Sequence, residues 1–281
     1  MYYGNEKNNF DYKWIVIKIK ILYNNNRKEN IYLIWGGILM KKIIIYDFDG
    51  TLTPFSLPKF EILEKCGMKD GAHNPQFLEL AKKRVKDENI DLYTAIYEEY
   101  FETIRSAGFR LIDENLSFGY DNISYNKGVI EFLKMFSENN ISNYLLSSWV
   151  KVFLEKVSIS SYFKEIYATI FTYDQNNEAN GFKFLMSDKN KVVAIKEILR
   201  KNGIDNEDCS NVIYIGDGFT DYYAMKYIKE HGGTSIFVYQ DLNSKDMKSI
   251  KEKNVVDFYT KNDFSQNNEL NNYVRELCEI K

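Results

Sequence analysis

The chain has 281 residues, 44% hydrophobic and 27% charged, the balance of a folded globular protein with room for a domain and an insertion. A formal charge of -3 excludes the basic footprint of a nucleic-acid binder, and no apolar stretch is long enough to span a bilayer. Three scattered cysteines, Cys66, Cys209 and Cys278, have no CxxC spacing and point to reduced thiols in a cytoplasmic setting rather than a disulfide frame or a zinc site.

Residues 1–39 match nothing that follows. Trp14 to Leu22 alternates like an edge strand, Asn24 to Lys28 is a polar break, and no cleavable leader pattern is present. Gly36-Gly37, shortly before Met40-Lys41-Lys42, is what a purine-rich ribosome-binding site would encode. The expectation is therefore a mis-assigned start, with the native chain beginning at Met40; the alternative is a genuine extension that adds a strand. Removing six Lys/Arg from 37 and three Asp/Glu from 40 leaves 31 basic against 37 acidic residues, a charge of -6.

Lys42 to Tyr46 reads as a buried strand. It delivers Asp47-Phe48-Asp49-Gly50-Thr51 to a glycine turn, and residues two apart on a strand point the same way. Two carboxylates converging on one small site repel unless a cation separates them or one holds a proton. That arrangement suits a metal site in which one carboxylate attacks and its neighbour shuttles a proton. The plainer reading is a strand followed by an Asp-Gly turn.

From Pro54 to Asn122 the pattern turns helical. Ser56-Leu57-Pro58 and Asn74-Pro75 are helix starts, Phe77, Leu80 and Ala81 form one apolar face, and Leu92, Ile96, Tyr100 and Ile104 form another that Gly108 closes. Helices and strands then alternate. Helices are expected after Gly128, over 150–157, 192–199 and 221–228, and over 270–278. Strands are expected over 141–146, 166–171, 212–215, 235–239 and 255–259. Strands separated by helices imply a parallel sheet covered on both faces, with ligands bound beyond the carboxyl ends of the strands. The fold class is α/β: a Rossmann-like doubly wound parallel sheet with a small all-helical cap inserted after the first strand. The expected boundaries are 40–53 and 123–281 for the core and 54–122 for the cap.

Three further signals fall at strand ends. Ser147, after Asn143-Tyr144-Leu145-Leu146, can donate to a phosphate oxygen or cap a helix. Asp188-Lys189-Asn190-Lys191 precedes a helix; a lysine there can neutralise a phosphate, or the four residues form a solvated charge cluster. Ile213-Tyr214-Ile215-Gly216-Asp217-Gly218-Phe219-Thr220-Asp221 runs a strand into an acid between two glycines, with a second acid one helical turn on. Asp217 can reach a hard cation such as Mg²⁺, and Asp221 can support it. The two histidines, His73 and His231, form no metal-binding pattern.

In this order the four elements, spanning Asp47 to Asp221, resemble the haloacid dehalogenase superfamily of phosphohydrolases, and the helical insertion resembles the cap of its phosphoserine-phosphatase-like branch. The resemblance implies that Asp47 is the nucleophile and Asp49 the general acid and base. Ser147, Lys191, Gly50 and Thr51 would bind the phosphate, Ser147 and Lys191 holding its oxygens and Thr51 buttressing the loop. Mg²⁺ would be bound by Asp47, Asp217 and the main-chain carbonyl of Asp49, with Asp221 in support. Lys191 fits the family spacing to the following helix better than Lys189. The implied activity is hydrolysis of a small phosphorylated metabolite through an aspartyl-phosphate; the alternatives are phosphoryl transfer to another hydroxyl, or a non-catalytic binding protein. Two departures stand out. Ser148-Trp149 follows Ser147 where the branch often has glycine, so Trp149 either walls the pocket or joins the core. Residues 53–59 contain no acid to receive a substrate ammonium, which disfavours phosphoserine.

Overall fold

The computed structural model of the chain describes residues 42–54 and 75–280. The expectations for residues 1–39, for Met40, for the helix start at Ser56-Leu57-Pro58, and for Cys66 and His73 lie outside the described residues. Seven strands, β1 (Ile43–Tyr46), β2 (Ser142–Val150), β3 (Glu165–Tyr173), β4 (Ala179–Phe184), β5 (Val212–Gly216), β6 (Thr234–Tyr239) and β7 (Phe258–Lys261), form one sheet in the order β4-β3-β2-β1-β5-β6-β7. All neighbouring pairs are parallel except β3 and β4. The chain thus adopts the expected Rossmann-like doubly wound α/β fold.

Both faces of the sheet are dry, which is why its central strands read as unbroken apolar runs. On one face Ile44, Tyr46, Leu145, Ile213 and Ile215 pack with Phe132, Phe136, Leu270 and Val274 of the Val129–Glu138 and Glu269–Leu277 helices. On the other, Ile43, Ile45, Tyr144, Leu146, Val212 and Tyr214 pack with Ile195, Ile198, Met225 and Ile228 of the Asn190–Lys201 and Tyr222–Glu230 helices. Each such large side chain removed from water contributes about 1.5–3 kcal/mol. Tyrosine hydroxyls buried in this core are answered: Tyr46 donates to Asn143 Oδ1 at 3.1 Å, and Tyr144 accepts from Asn202 Nδ2 at 2.8 Å.

Among the described residues, the α-helices of the insertion are Pro75–Glu88, Leu92–Ser106 and Asp113–Leu116. Arg84 ties the first to the second through Glu98 and Glu99. Ala81 is buried, but Leu80 is 52% exposed, so the expected apolar face of the first helix is only partly used. Phe101 of the second helix packs against Phe171 of β3 and Phe182 of β4, with ring centroids 4.9 and 5.7 Å away. The Leu92–Ser106 helix is thereby docked on the β3–β4 edge of the sheet.

Several elements differ from the sequence reading. The expected 150–157 helix is only Lys151–Leu154, because β2 continues through Ser147-Ser148-Trp149 to Val150. The last strand begins at Phe258 rather than Val255, and β4 and the Lys245–Lys253 helix complete the sheet and its cover without having been anticipated. Trp149 is 5% exposed and packs edge-on against Tyr100 and Phe153, so it belongs to the core. Cys209 and Cys278 are free and buried. Among the described residues, no helix is long and apolar enough to cross a membrane.

Candidate active site

The strand order reverses direction at β1: the chain goes to β2 and β3 on one side and to β5, β6 and β7 on the other. A crevice opens at such a switch point beyond the carboxyl ends of the strands. Tyr46 pairs with Ile215 and with Leu145, so β1, β2 and β5 end almost level. Asp47 follows Tyr46 directly, Asp217 follows Gly216, and Ser147 lies two residues beyond Leu145. The Asp47 amide donates to the Ile215 carbonyl at 2.9 Å, which carries the sheet bonding up to the carboxylate.

Asp47, Asp217 and Asp221 each place a carboxylate oxygen within 4.8 Å of the others. Lys191, wholly buried, enters from the first turn of its helix; its Nζ donates to Asp47 Oδ1 at 2.7 Å and to Asp221 Oδ1 at 2.6 Å. Lys189 points elsewhere, with Nζ 5.9 Å from the centre of the Tyr223 ring. Asp221 Oδ1 also accepts from the Tyr214 hydroxyl at 2.6 Å, and its Oδ2 accepts from the amides of Asp217 and Gly218 at 3.2 and 3.1 Å. Asp221 is therefore a buried strut. It orients the ammonium on one side and the Gly216-Asp217-Gly218 turn on the other.

Two glycines are required for this packing. A Cβ on Gly50, whose φ is +81°, would lie 2.1 Å from Asp217 Oδ2, and one on Gly216 would lie 2.5 Å from Asp221 Oδ2. Thr51 Oγ1 donates to Asp217 Oδ1 at 2.9 Å, so its hydroxyl serves a carboxylate. Ser147 is buried in an irregularity of β2, where Leu146 and Val150 face Tyr167 and Thr169 of β3. Such bulges re-aim side chains next to active sites. Ser147 Oγ accepts from the Trp149 amide at 3.1 Å, a bond that leaves its hydroxyl proton for another acceptor. Asp49 is half-buried on the turn after Asp47, and its side chain is not in the 4.8 Å group.

The electrostatics follow from crowding. Burial raises the Asp47 carboxyl to about 7; Lys191 opposes that shift, and Asp221 and Asp49 add to it. Desolvation and the charges of Asp47 and Asp221 hold Asp217 well above the usual carboxylate range, although the Thr51 hydrogen bond and Lys191 pull it down. For Lys191 burial pushes downward, but Asp221 and Asp47 outweigh it and keep the ammonium charged. Fully ionised, three carboxylates around one ammonium carry a charge of -2, which a divalent cation with a preference for oxygen ligands would match.

The structure brings Asp47, Asp217, Asp221, Lys191, Gly50 and Thr51 into one group, and Asp49 and Ser147 flank it at the same end of the sheet. Sequence reasoning missed Tyr214, which is the apolar-looking middle of a buried strand. It also missed Asn126 and Asn262: their side-chain amides donate to the carbonyls of Thr51 and Thr53, at 2.8 and 2.9 Å, and of Gly50.

Solved structures share this architecture. A phosphoserine phosphatase with bound substrate superposes with a TM-score of 0.58 at 16% identity, over 84% of this chain and 98% of that one. A HAD family hydrolase from Salmonella enterica serovar Typhi gives 0.57 at 17%, over 80% and 68%. A predicted phosphatase from Clostridium acetobutylicum gives 0.52 at 16%, over 85% and 99%. These are likenesses of fold. No curated protein matches the chain. A sequence model of the haloacid dehalogenase-like hydrolases does match residues 44–226, from the strand that presents Asp47 into the helix behind Asp221, and the chain belongs to that family.

Proposed function

We propose that the protein hydrolyses a small phosphomonoester through an aspartyl-phosphate formed on Asp47. The observation that carries this reading is the Lys191 ammonium fixed between Asp47 and Asp221 with Asp217 alongside. A divalent ion, Mg²⁺ by the chemistry of the oxygen donors, would be held by Asp47, Asp217 and the Asp49 carbonyl with Asp221 behind them, and would supply the charge that lets a phosphate approach a carboxylate.

The chain's own groups account for the remaining chemistry. Lys191 neutralises a phosphoryl oxygen and the nucleophile together, and Ser147 donates its free proton to another phosphoryl oxygen without adding charge. An Asp47 oxygen bonds to phosphorus as the bond to the leaving alcohol breaks, and Asp49 gives its proton to that alcohol oxygen. Asp49, now a carboxylate, takes a proton from water as the water oxygen bonds to phosphorus and the bond from phosphorus to the Asp47 oxygen breaks. Inorganic phosphate leaves, and Asp47 and Asp49 return to their starting states. The residues of the insertion cover the site and shape the space for the leaving group.

Release of inorganic phosphate from a panel of phosphorylated metabolites tests the proposal. Asp47→Asn keeps the size of the side chain and should abolish turnover while preserving the circular dichroism spectrum. Full activity of that variant, or wild-type activity indifferent to chelator, would refute the assignment.

A further inference from the structure

The loop that follows Asp49 is held from outside by its carbonyls. Asn126 reaches three of them: its amide donates to Leu52 O at 2.8 Å, and its Nδ2 donates to Thr51 O at 2.8 Å and Thr53 O at 2.9 Å. Both hydrogens of that side-chain amide are thereby used. Asn262 takes the fourth, with Nδ2 donating to Gly50 O. Four consecutive carbonyls, Gly50 to Thr53, are thus fixed by two asparagines from distant parts of the chain. Asn126 precedes the Val129–Glu138 helix, and Asn262 follows β7, where its amide bonds Tyr239 O at 2.9 Å. The two anchors are joined, because the Phe264 amide donates to Lys127 O at 2.8 Å.

Asn262 makes this clamp at an expense. Its Oδ1 is buried and has no hydrogen-bond partner among the described residues. Turning the amide over would set that oxygen against the Gly50 carbonyl, acceptor to acceptor, so the orientation is forced. A buried unpaired oxygen calls for an explanation, and its benefit lies with the loop. That loop is in contact with Asp217: Gly50 has no room for a Cβ beside Asp217 Oδ2, and Thr51 donates to Asp217 Oδ1. A small slip of the loop therefore moves a carboxylate relative to Asp47, which is anchored separately to β5.

We infer that Asn126 and Asn262 are positioning residues that hold the Gly50–Thr53 loop against Asp217 and thereby set the affinity of the carboxylate group for a divalent cation. Neither touches a carboxylate of the group in the bonds given above; both act through the loop. This inference rests on the metal-binding reading of the site. Losing a group that hydrogen-bonds a metal's ligand typically changes the metal's affinity by about 10–100-fold, and the loop that the two asparagines hold makes such a contact through Thr51 and Asp217.

The test is Mn²⁺ binding to the full-length, metal-free protein, read from the electron paramagnetic resonance signal of free Mn²⁺, so that no substrate is needed. Asn126→Ala and Asn262→Ala should each weaken binding at least tenfold at a temperature where their near-ultraviolet circular dichroism matches wild type. Asn139→Ala, which loses a comparable bond to Met135 O (2.9 Å) at an exposed helix end, should bind as wild type does. Asn262→Ala also deletes the unpaired oxygen, so it is the variant expected to stay folded, and it decides the question if Asn126→Ala does not fold. A folded Asn262→Ala that binds within twofold of wild type would overturn the inference. Wild-type protein that fails to bind Mn²⁺ is a different result: it removes the metal reading and this inference with it.

Discussion

Replacing Lys191 with methionine is the sharpest probe of the buried charge group. Two opposite charges 2.7 Å apart attract by about 6 kcal/mol at an effective dielectric of about 20, and the ammonium makes such a contact with both Asp47 and Asp221. Part of that attraction is offset by the desolvation of the ions, and losing one partner of a buried pair costs about 3–5 kcal/mol. Methionine fills the volume but leaves the carboxylates without their ammonium. Their relief is to bind protons, and Asp47 is already raised to about 7 by burial with Lys191 present. A carboxyl raised in the folded state binds more protons there than in the unfolded chain, so it loses stability as pH rises through the window above its ordinary value of about 3.9. The Lys191→Met deficit should therefore be about 3–5 kcal/mol at pH 8.5. At pH 5.5, where a proton neutralises Asp47 in both proteins, it should be smaller by at least one pKa unit's worth, about 1.4 kcal/mol. Urea unfolding of the chelator-treated proteins at the two pH values measures this difference. A deficit equal at both, or below about 1 kcal/mol at pH 8.5, would show that the lysine is not the counter-charge described here.

Two other outcomes are expected. Gly50→Ala places a side chain at a φ of +81° with its Cβ 2.1 Å from Asp217 Oδ2; it should destabilise by about 1–2 kcal/mol for the backbone alone, lower the thermal midpoint by several degrees and weaken divalent-ion binding, and an alanine variant with wild-type melting and binding would contradict the packing. Divalent-ion binding should release protons below neutrality, because Asp47 holds one up to about pH 7; apparent affinity should fall about tenfold per pH unit for each proton displaced as the pH drops from 7 to 5.5, and calorimetry in two buffers of different ionisation heat would expose an affinity that ignores pH over that range.

The site was legible where chemistry and periodicity coincide. Asp47 and Asp217 each end an apolar run, and β1 and β5 are neighbours in register, so two strand-end signals far apart in sequence met in space. Lys191 could be chosen over Lys189 by its spacing to the following helix, and the helix start aims the two side chains differently. What escaped was held by tertiary contacts. β4 is a polar Ala-Asn-Gly-Phe-Lys-Phe segment with weak alternation, kept as a strand by its antiparallel bonding to β3. The Lys245–Lys253 helix buries only Met247 and Ile250, too thin a stripe to stand out, although Ser244 caps it. Val255 and Val256 look like the start of a strand, yet they are buried in the coil before β7. Ser147 taken alone read more readily as a helix cap, because nothing in Ser147-Ser148-Trp149 announces a bulge. Asn126 and Asn262 act on carbonyls, which carry no signature in the sequence at all.

The chain leaves the sheet at Pro54 and is back beside its own departure point at Asn126, whose bonds to Leu52 and Thr53 tie off the excursion at its neck. Of the residues between, those described, 75–122, form a lobe on this closed stem. Lengthening, trimming or exchanging such a lobe adds little closure entropy, since its ends already meet. On the proposed function, residues that recognise the leaving alcohol can therefore change while those that cleave its phosphate are kept, with the two asparagines marking the seam between them.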